Sequence, residues 1–283
     1  MHFIKGHGLG NDFIIVDGRF NNELDYSYAA KVLCHRQTGV GADGLLVLLP
    51  SKTAAFKMRI FNADGSEAEM CGNGIRVFAK YLHEAGLTSA KTFVIETLSG
   101  NMLPELILDE SGRVEAVRVN MGKPNFKCEE IPVKSSSCQN GMLTALGREF
   151  CFSSVRVGVP VTAVPVADPE DFDLKAYGPA IEKHTLFPEG TNVSFFKVVD
   201  SKNIIMRIWE RGAGPTLACG TGASGTAVLC SLNGLCERRV NMHLPLGKLF
   251  IEWENDGFVY MSGPAELVFE ADFPDEKLKQ FKR

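Results

Sequence analysis

The sequence predicts an α+β fold made of two pseudo-symmetric halves, each a strand-rich barrel or roll around one central helix. The first observation is a duplication: residues 58–74 (MRIFNADGSEAEMCGNG) align without a gap with residues 206–222 (MRIWERGAGPTLACGTG), 148 residues further on. The second is that strand-like runs far outnumber helical ones, which disfavours a doubly wound parallel sheet. The third is length, because 283 residues suit about two domains of roughly 150 residues.

The duplication sets the expected domain limits. We expect an N-terminal half over 1–122, joined by the C-terminal segment 265–283, and a C-terminal half over 123–264. The active site is expected in the cleft between the two halves. A weaker similarity relates GLGNDFIIVD to GTNVSFFKVVD, and this alignment places Asn11 opposite Asn192.

Five short strands are predicted in each half. Each is an apolar or alternating run of four to seven residues that stops near Gly, Pro or Asn. In the first half they are 13–16, 45–49, 57–61, 93–96 and 114–120. In the second half they are 153–157, 193–199, 204–209, 249–253 and 258–261.

Each half also contains one long predicted helix with an apolar face. The first follows Cys71 and stops at Gly86, and its buried face carries Ile75, Phe78, Leu82 and Ala85. The second follows Cys219 and ends near Gly234, and its buried side carries Ala223, Ala227, Cys230, Leu232 and Leu235.

Composition excludes several classes of partner. The formal net charge is −4 and the basic residues do not cluster, which argues against nucleic-acid binding. No apolar stretch approaches the roughly 20 residues of a membrane span, so no membrane association is expected. The first residues resemble no signal peptide, and a cytoplasmic location is therefore the expectation.

Eight cysteines are expected to be mostly free thiols in a reducing compartment. No Cys-x-x-Cys pair and no zinc-finger spacing occurs, so no metal is expected. The ordinary interpretation of a single free cysteine is a small buried apolar side chain. Only Cys71 and Cys219 stand out, because each opens a Cys-Gly-x-Gly motif at an equivalent place in the duplication.

A cysteine at a helix start has a chemical use. The first turn of a helix has backbone N–H groups without intrahelical acceptors, and it is the positive end of the helix dipole. A thiol there is expected to shift toward thiolate, below its free pKa of about 8.5. The same N–H groups can hold a carboxylate, with glycines allowing close approach. The motif therefore predicts both an acid/base group and an anchor for an anionic substrate.

Two such helix starts suit the inversion of an α-carbon. One cysteine as thiolate removes the α-proton, and the other as thiol delivers a proton to the opposite face. The helix dipoles stabilise the charge that develops on the carboxylate. This predicts a racemase or epimerase that needs no cofactor.

Other interpretations compete with this one. Glycine-rich turns often precede helices for packing alone. Nucleophilic cysteine chemistry would need a nearby base, and none of the six histidines lies in a recognisable context for it. A thiol redox or binding module would use the two cysteines as a reversible pair, and α-deuterium incorporation from heavy water separates it from an epimerase.

The motifs together resemble one family. They are HGLGNDF, RQTGVGADG, FNADGSEAEMCGNGIR, EGTNVSF and ERGAGPTLACGTG, spread over most of the chain. They resemble diaminopimelate epimerase, an isomerase of lysine and peptidoglycan-precursor biosynthesis. The resemblance implies conversion of LL-diaminopimelate to meso-diaminopimelate, no cofactor, a small amino-acid substrate, and a homodimer as one candidate assembly.

The resemblance also implies roles for individual residues. Cys71 and Cys219 resemble the two acid/base cysteines, and Glu210 resembles a residue that tunes a catalytic thiol. The expected donors to the reacting carboxylate are Gly72, Asn73, Gly220 and Thr221. The residues expected to hold the remaining groups of the substrate are Asn11, Asn62, Asn192, Glu210 and Arg211. Arginine suits a carboxylate because it can bind bidentately. Without the motifs, turn formation would explain Asn11 and Asn62, and a surface ion pair with Glu210 would explain Arg211.

One segment departs from the family. Gly158-Val159-Pro160-Val161 stands where the family usually has Gly-Asn-Pro-His. The two valines remove a substrate contact and a group that assists a cysteine. Because an apolar patch rejects few ligands, a relaxed specificity, or racemisation of a shorter acidic amino acid such as glutamate, is the alternative prediction.

Overall fold

A computed structural model describes residues 1–20, 24–274, 276 and 278. These residues divide into two compact units. Unit 1 contains the described residues of Met1–Val119 and of Gly263–Arg283, and unit 2 contains Asn120–Ser262.

Unit 1 is built on a mixed sheet with the strand order β19-β1-β2-β3-β4-β6-β7, with β5 paired to β4. Its strands are β1 (His2–Gly8), β2 (Asn11–Asp17), β3 (Gly44–Leu49), β4 (Phe56–Asn62), β5 (Glu67–Ala68), β6 (Ile95–Thr97), β7 (Gly100–Met102), β8 (Glu105–Leu108), β9 (Val114–Gly122) and β19 (Glu266–Asp272). The β8 and β9 strands pair with each other as an antiparallel hairpin. The helices are α1 (Tyr26–Leu33) and α2 (Gly72–Glu84).

Unit 2 repeats this arrangement with the order β10-β11-β12-β13-β14-β16-β17-β18, with β15 paired to β14. Its strands are β10 (Gly141–Ala145), β11 (Arg148–Val157), β12 (Val159–Pro165), β13 (Asn192–Asp200), β14 (Asn203–Glu210), β15 (Gly214–Thr216), β16 (Arg239–Leu244), β17 (Gly247–Trp253) and β18 (Val259–Gly263). The helices are α3 (Leu174–Glu182) and α4 (Gly220–Leu232).

The two units share one sequence of strand pairings. From β1 to β7 the neighbours pair antiparallel, parallel, antiparallel, parallel and antiparallel. From β11 to β17 they pair in the same succession. The long helix follows the short fifth strand of the series in both units. The predicted α+β fold of two pseudo-symmetric halves is confirmed.

The strand registers correct the weaker of the two sequence alignments, the one that places Asn11 opposite Asn192. Phe13 pairs with Gly44 in unit 1, and Val161 pairs with Asn192 in unit 2, again 148 residues further on. The counterpart of Asn11 is therefore Val159, and the counterpart of Asn192 is Gly44. The expectation that Asn11 lies opposite Asn192 is wrong, because it matched the second strand of one unit to the third strand of the other.

The two long helices form as the sequence predicts. Cys71 and Cys219 are their N-cap residues, both in extended backbone conformation. Each helix is followed by a glycine with positive φ, Gly86 at +70° and Gly234 at +69°, which ends the helix at little steric cost.

Three expectations about the buried faces of the helices need correction. Ala85 is exposed, because it is the C-cap residue that ends α2. Leu232 and Leu235 are 46% and 50% exposed and do not belong to the buried side of α4. The reason is that α4 ends at Leu232, so the helical spacing no longer applies to Leu235. Each unit also contains a short second helix, α1 or α3, that the apolar pattern did not reveal.

Each unit has its own apolar core. In unit 1, α1 packs beneath the sheet with buried side chains such as Leu33, Leu45 and Phe61. In unit 2, a cluster that includes Phe152, Ile181 and Phe195 lies between α3 and the strands. No helix among the described residues is long and apolar enough to cross a membrane.

Two cysteines depart from the expected free thiols. Cys128 and Cys138 form a disulfide, whereas the other six are free. The turns of the 127–138 segment bring the two Cα atoms to 5.6 Å, within the ordinary range for a disulfide. The ten-residue spacing matches no recognisable motif, so the sequence did not signal the pairing.

Candidate active site

The Cys71 half-site comprises Cys71, Asn11, Asn73 and Gly74 in unit 1. The Cys71 sulfur accepts the Gly74 N–H at 3.4 Å, which is the N-cap bond of α2. The Cys71 thiol also lies 3.8 Å from the Asn11 side-chain oxygen and can donate to it. Asn73 donates to the same Asn11 oxygen at 3.1 Å. The side-chain amide of Asn11, at the start of β2, thus contacts both Cys71 and Asn73 at the start of α2.

A charged cluster fixes the Asn11 amide from the other side. The Asn11 Nδ2 donates to the Asp43 carboxylate at 2.8 Å. Asp43 in turn accepts from Arg36 at 2.7 Å, and Arg36 also binds Asp12 at 2.8 Å. Burial opposes ionisation of Asp12, but bonds from Arg36 and Lys5 outweigh it and lower the pKa of Asp12 to about 2. Asp12 therefore stays ionised, and the cluster orients Asn11 with its oxygen toward Cys71.

The Cys219 half-site comprises Cys219, Asn192, Thr221, Gly222 and Glu210 in unit 2. The Cys219 sulfur accepts the Gly222 N–H at 3.4 Å, as in the first half-site. Its side chain also lies 3.2 Å from the Thr221 hydroxyl and 3.8 Å from the Asn192 Nδ2. The two helix starts therefore use the same backbone bond to hold sulfur and differ in the side chains around it.

The acid/base character of Cys219 differs from the sequence expectation. Burial raises the pKa of the Cys219 thiol well above its usual range, and the Glu210 carboxylate raises it further. The bonds from Thr221 and Gly222 lower the pKa but do not compensate. The expected shift toward thiolate is therefore wrong for Cys219. Burial destabilises the charged sulfur by more than the helix N-terminus stabilises it.

Glu210 and Arg211 lie at the end of β14. Glu210 is the last residue of that strand and accepts a hydrogen bond from the Thr216 hydroxyl. The Arg211 N–H donates to Asn192 Oδ1 at 2.8 Å, and its exposed guanidinium donates to the Glu189 carbonyl at 2.9 Å. The asparagine thus bridges the cysteine and the Glu-Arg pair.

Asn62 is the counterpart of Glu210 in unit 1. It ends β4, is exposed, and donates from Nδ2 to the Ser66 hydroxyl at 2.9 Å. No bond of Asn62 to the Cys71 half-site is seen among the described residues. The structure therefore brings Asn11 and Asn73 to Cys71, and Asn192, Thr221 and Glu210 to Cys219, and places Asn62 beside a turn.

The carboxylate anchors predicted at the helix starts are backbone groups. Gly72 and Asn73 open α2, and Gly220 and Thr221 open α4. The N–H groups of a first helical turn have no acceptor four residues earlier within the helix. Both helix starts therefore have the chemistry to receive one oxygen of an anion. No group of three or more His, Cys, Asp or Glu that could hold a metal lies within the described ranges.

The valines of the departing segment line the start of β12. Val161 is fully buried, and a Cβ added to Gly225 of α4 would lie 3.0 Å from it. Val159 is half-buried at the first position of the strand. Apolar packing against α4 therefore occupies the place of the family's imidazole. The sequence interpretation missed Asp43 and Thr216, whose roles depend on side-chain bonds that no motif spacing reveals.

The comparisons with solved structures define the class of fold. A Bacillus anthracis phenazine biosynthesis protein of the PhzF family is 16% identical with a TM-score of 0.70, over 96% of this chain and 98% of that one. A probable proline racemase from Agrobacterium radiobacter K84 is 15% identical with a TM-score of 0.70, over 96% and 92%. The chain thus has the duplicated fold of PhzF-like proteins and amino-acid racemases.

The family follows from the sequence matches. The model of the family described as diaminopimelate epimerase matches residues 3–127 and 153–268. The diaminopimelate epimerase of Caldanaerobacter subterraneus subsp. tengcongensis is 52% identical over 96% of this chain and 99% of its own. That of Pelotomaculum thermopropionicum is 50% identical over 97% and 99%. The chain belongs to the diaminopimelate epimerase family and is an isomerase, and the glutamate racemase alternative is not favoured.

Proposed function

We propose that this protein converts LL-diaminopimelate to meso-diaminopimelate without a cofactor, with Cys71 and Cys219 as the two acid/base groups. Membership of the family supports the substrate. The observation that carries the mechanism is that the two thiols are the N-cap residues of equivalent helices. A thiol at a helix start combines an acid/base group with backbone donors for the substrate carboxylate.

The reaction is a balanced exchange of two protons. One cysteine, as thiolate, forms an S–H bond with the α-proton, and the C–H electron pair passes to the α-carbon and its carboxylate. The other cysteine gives its thiol proton to the opposite face of that carbon and becomes the thiolate. Donors at the helix starts stabilise the charge that develops on the carboxylate. The protonation states of the two sulfurs are exchanged at the end of the turnover.

The surroundings of Cys219 support a protonated starting state. A buried thiol beside a carboxylate stays protonated at neutral pH. In that state Cys219 is the proton donor, and Cys71 is the base. Proton removal by Cys71 and delivery by Cys219 is therefore the direction that the resting enzyme supports.

The remaining predicted site residues are assigned to binding. Backbone groups of Gly72, Asn73, Gly220 and Thr221 receive the reacting carboxylate. The amino group and the distal end are held by the polar side chains Asn11, Asn62, Asn192, Glu210 and Arg211. In support, Asn192 is already fixed by bonds to Arg211 and Cys219.

The experiment is epimerisation of LL-diaminopimelate by the purified protein, followed by chiral separation. Wild type is expected to form the meso isomer, and Cys71→Ser and Cys219→Ser are each expected to lose about 10³-fold or more of the rate. Cys151→Ser is the matched control, since Cys151 is a half-buried free thiol that no proposed step uses. Absence of meso product from folded wild type, or full activity in either serine variant, contradicts the proposal.

Glutamate in the same assay measures how strictly the substrate is selected. We expect no glutamate racemisation by wild type, because family membership favours the longer substrate. Glutamate racemisation by wild type that is lost in the Val159→Asn/Val161→His variant would show instead that the valines relax the choice.

Three further predictions from the sequence stay proposals. We propose that the two halves correspond to 1–122 with 265–283 and to 123–264, that the protein is cytoplasmic, and that it forms a homodimer. Sedimentation velocity on the full chain tests the assembly directly.

A further inference from the structure

Arg76 is a fully buried arginine in the second turn of α2. Its exposed fraction is 0%. Charged side chains are rarely this buried unless the structure supports their charge. Arg76 lies five residues after Cys71, and its side chain folds back to the carbonyl of Gly72, the residue that follows Cys71.

Backbone groups of unit 1 hold this guanidinium in place. Nη1 donates to the carbonyl of Gly72 at 3.2 Å, and Nε donates to the carbonyl of Pro264 at 3.3 Å. A Cβ added to Gly8 of β1 would lie only 2.8 Å from Nη2, so the glycine leaves room for the arginine head. Two carbonyl oxygens and one missing side chain therefore fix the charge beside the first turn of α2.

The duplication does not repeat this feature. The residue 148 positions after Arg76 is Ser224 of α4, which is also fully buried. The Cys71 helix thus has a buried cation where the Cys219 helix has a neutral hydroxyl. In unit 2 the charged neighbour of the thiol is instead the Glu210 carboxylate. The two half-sites are equivalent in backbone and opposite in nearby charge.

We propose that Arg76 is a positioning residue that holds Cys71 in the thiolate form and fixes the helix turn that receives the substrate carboxylate. The inference rests on the proposed function and deepens it, because it explains why the two thiols start the reaction in different protonation states. Cys71 begins as base because of a buried cation, and Cys219 begins as acid because of burial and a carboxylate.

The interaction between the two groups is consistent with this role. Burial lowers the pKa of Arg76 to about 10, so the guanidinium remains charged at neutral pH, and the Cys71 charge acts in the opposite direction to raise it. An attraction between two groups acts on both of them. The same attraction therefore favours the Cys71 thiolate, and it opposes the Asn11 oxygen, which as an acceptor favours the thiol.

Other charged groups on the elements packed against α2 are already paired. Strands β1 and β2 contribute Lys5 and Asp12, which pair at 2.6 Å. Further along the same two strands, His7 faces Glu266 of β19 at 3.5 Å, and Asp17 binds Arg19 at 2.7 Å.

The Arg36–Asp43 pair lies behind Asn11, which separates it from Cys71. The Lys5–Asp12, Asp17–Arg19 and Arg36–Asp43 pairs each join one positive and one negative group. The buried cation of Arg76 is therefore the group whose removal we expect Cys71 to sense.

The experiment measures thiolate formation at Cys71 in the full chain. Wild type, Arg76→Met and Arg76→Lys are alkylated with iodoacetamide across a pH series, and the Cys71 and Cys219 peptides are quantified by mass spectrometry. Arg76→Met is expected to move the Cys71 midpoint upward by about one pH unit, which is about a tenfold smaller acid dissociation constant of the thiol. Arg76→Lys keeps the charge and is expected to keep the midpoint, and Cys219 is expected to keep its midpoint in both variants.

Each outcome decides the inference. An unchanged Cys71 midpoint in folded Arg76→Met, or an equal shift in Arg76→Lys, overturns it. Should Arg76→Met fail to fold, Gly8→Ala takes its place, since the added methyl displaces the guanidinium; an upward shift supports the proposal and no shift refutes it. Wild-type epimerisation measured in parallel keeps the outcomes separate, since an active wild type with an unmoved Cys71 midpoint rejects only the role of Arg76.

Discussion

Glycine at the third helical position is required more strictly in α4 than in α2. A Cβ on Gly222 would lie 2.1 Å from the Ile208 Cδ1, whereas a Cβ on Gly74 would lie 3.3 Å from the Leu46 Cδ2. Both positions are otherwise matched, since each donates its N–H to the N-cap sulfur at 3.4 Å. The substitutions Gly222→Ala and Gly74→Ala therefore compare the same helical position with different space around it.

The magnitude follows from two opposing effects. Alanine stabilises a helix position by about 1 kcal/mol relative to glycine, and this gain is common to both variants. Overpacking a core costs about 1–3 kcal/mol, and Ile208 is 1% exposed, so its displaced methyl has to enter packed space. We expect Gly222→Ala to be about 1–3 kcal/mol less stable than Gly74→Ala, and the latter to be close to wild type.

Thermal unfolding and epimerisation rate are the assays. A difference of 1–3 kcal/mol corresponds to about 2–5 °C in melting temperature for a chain of this size. Displacement of β14 or of the α4 start also moves the Cys219 sulfur, and we expect about a 10²-fold loss of rate in Gly222→Ala alone. Equal stability and equal rates in the two variants would refute the claim that α4 packs this closely on β14.

Two further predictions concern unit 2. Replacing Glu210 by Gln removes the negative charge beside Cys219, so the pH midpoint for alkylation of Cys219 is expected to fall, and an unchanged or higher midpoint contradicts the electrostatic role of the carboxylate. Reduction of the Cys128–Cys138 disulfide, which spans ten residues, is expected to lower the free energy of unfolding by about 2–3 kcal/mol in urea denaturation. Cys138→Ser is the control, and a wild type that is insensitive to dithiothreitol would disprove the pairing.

The duplication was visible in the sequence because the segments around the two helix starts align without a gap. The Cys-Gly-x-Gly segments keep their spacing and identity, so the two long helices and their N-cap cysteines could be predicted. Strand β12 (Val159–Pro165) was not predicted, since it carries Pro160 and Pro165, and proline usually excludes a central strand position. Without β12, the equivalence of Asn11 and Val159 in the duplication could not be found.

The electrostatics of the site could be predicted only in part. A helix start argues for a thiolate at both cysteines, and sequence alone does not show how deeply each sulfur is buried. The structure reverses the direction for Cys219, because burial and Glu210 together outweigh the helix. The sequence assigned no role to Arg76, although it lies in one of the motifs. Its burial could not be predicted, because the space for its guanidinium is left by Gly8 of β1, a strand far away in sequence.

The central claim is that two separate thiols handle the two faces of one α-carbon. Its most direct test is epimerisation of LL-diaminopimelate in heavy water, stopped at low conversion, with the α-deuterium content of both isomers measured by mass spectrometry. We expect deuterium at the inverted α-carbon of the meso product and none in the recovered substrate, because the base returns only the proton it removed. Deuterium in both isomers at equal levels, or a product without deuterium, would contradict it.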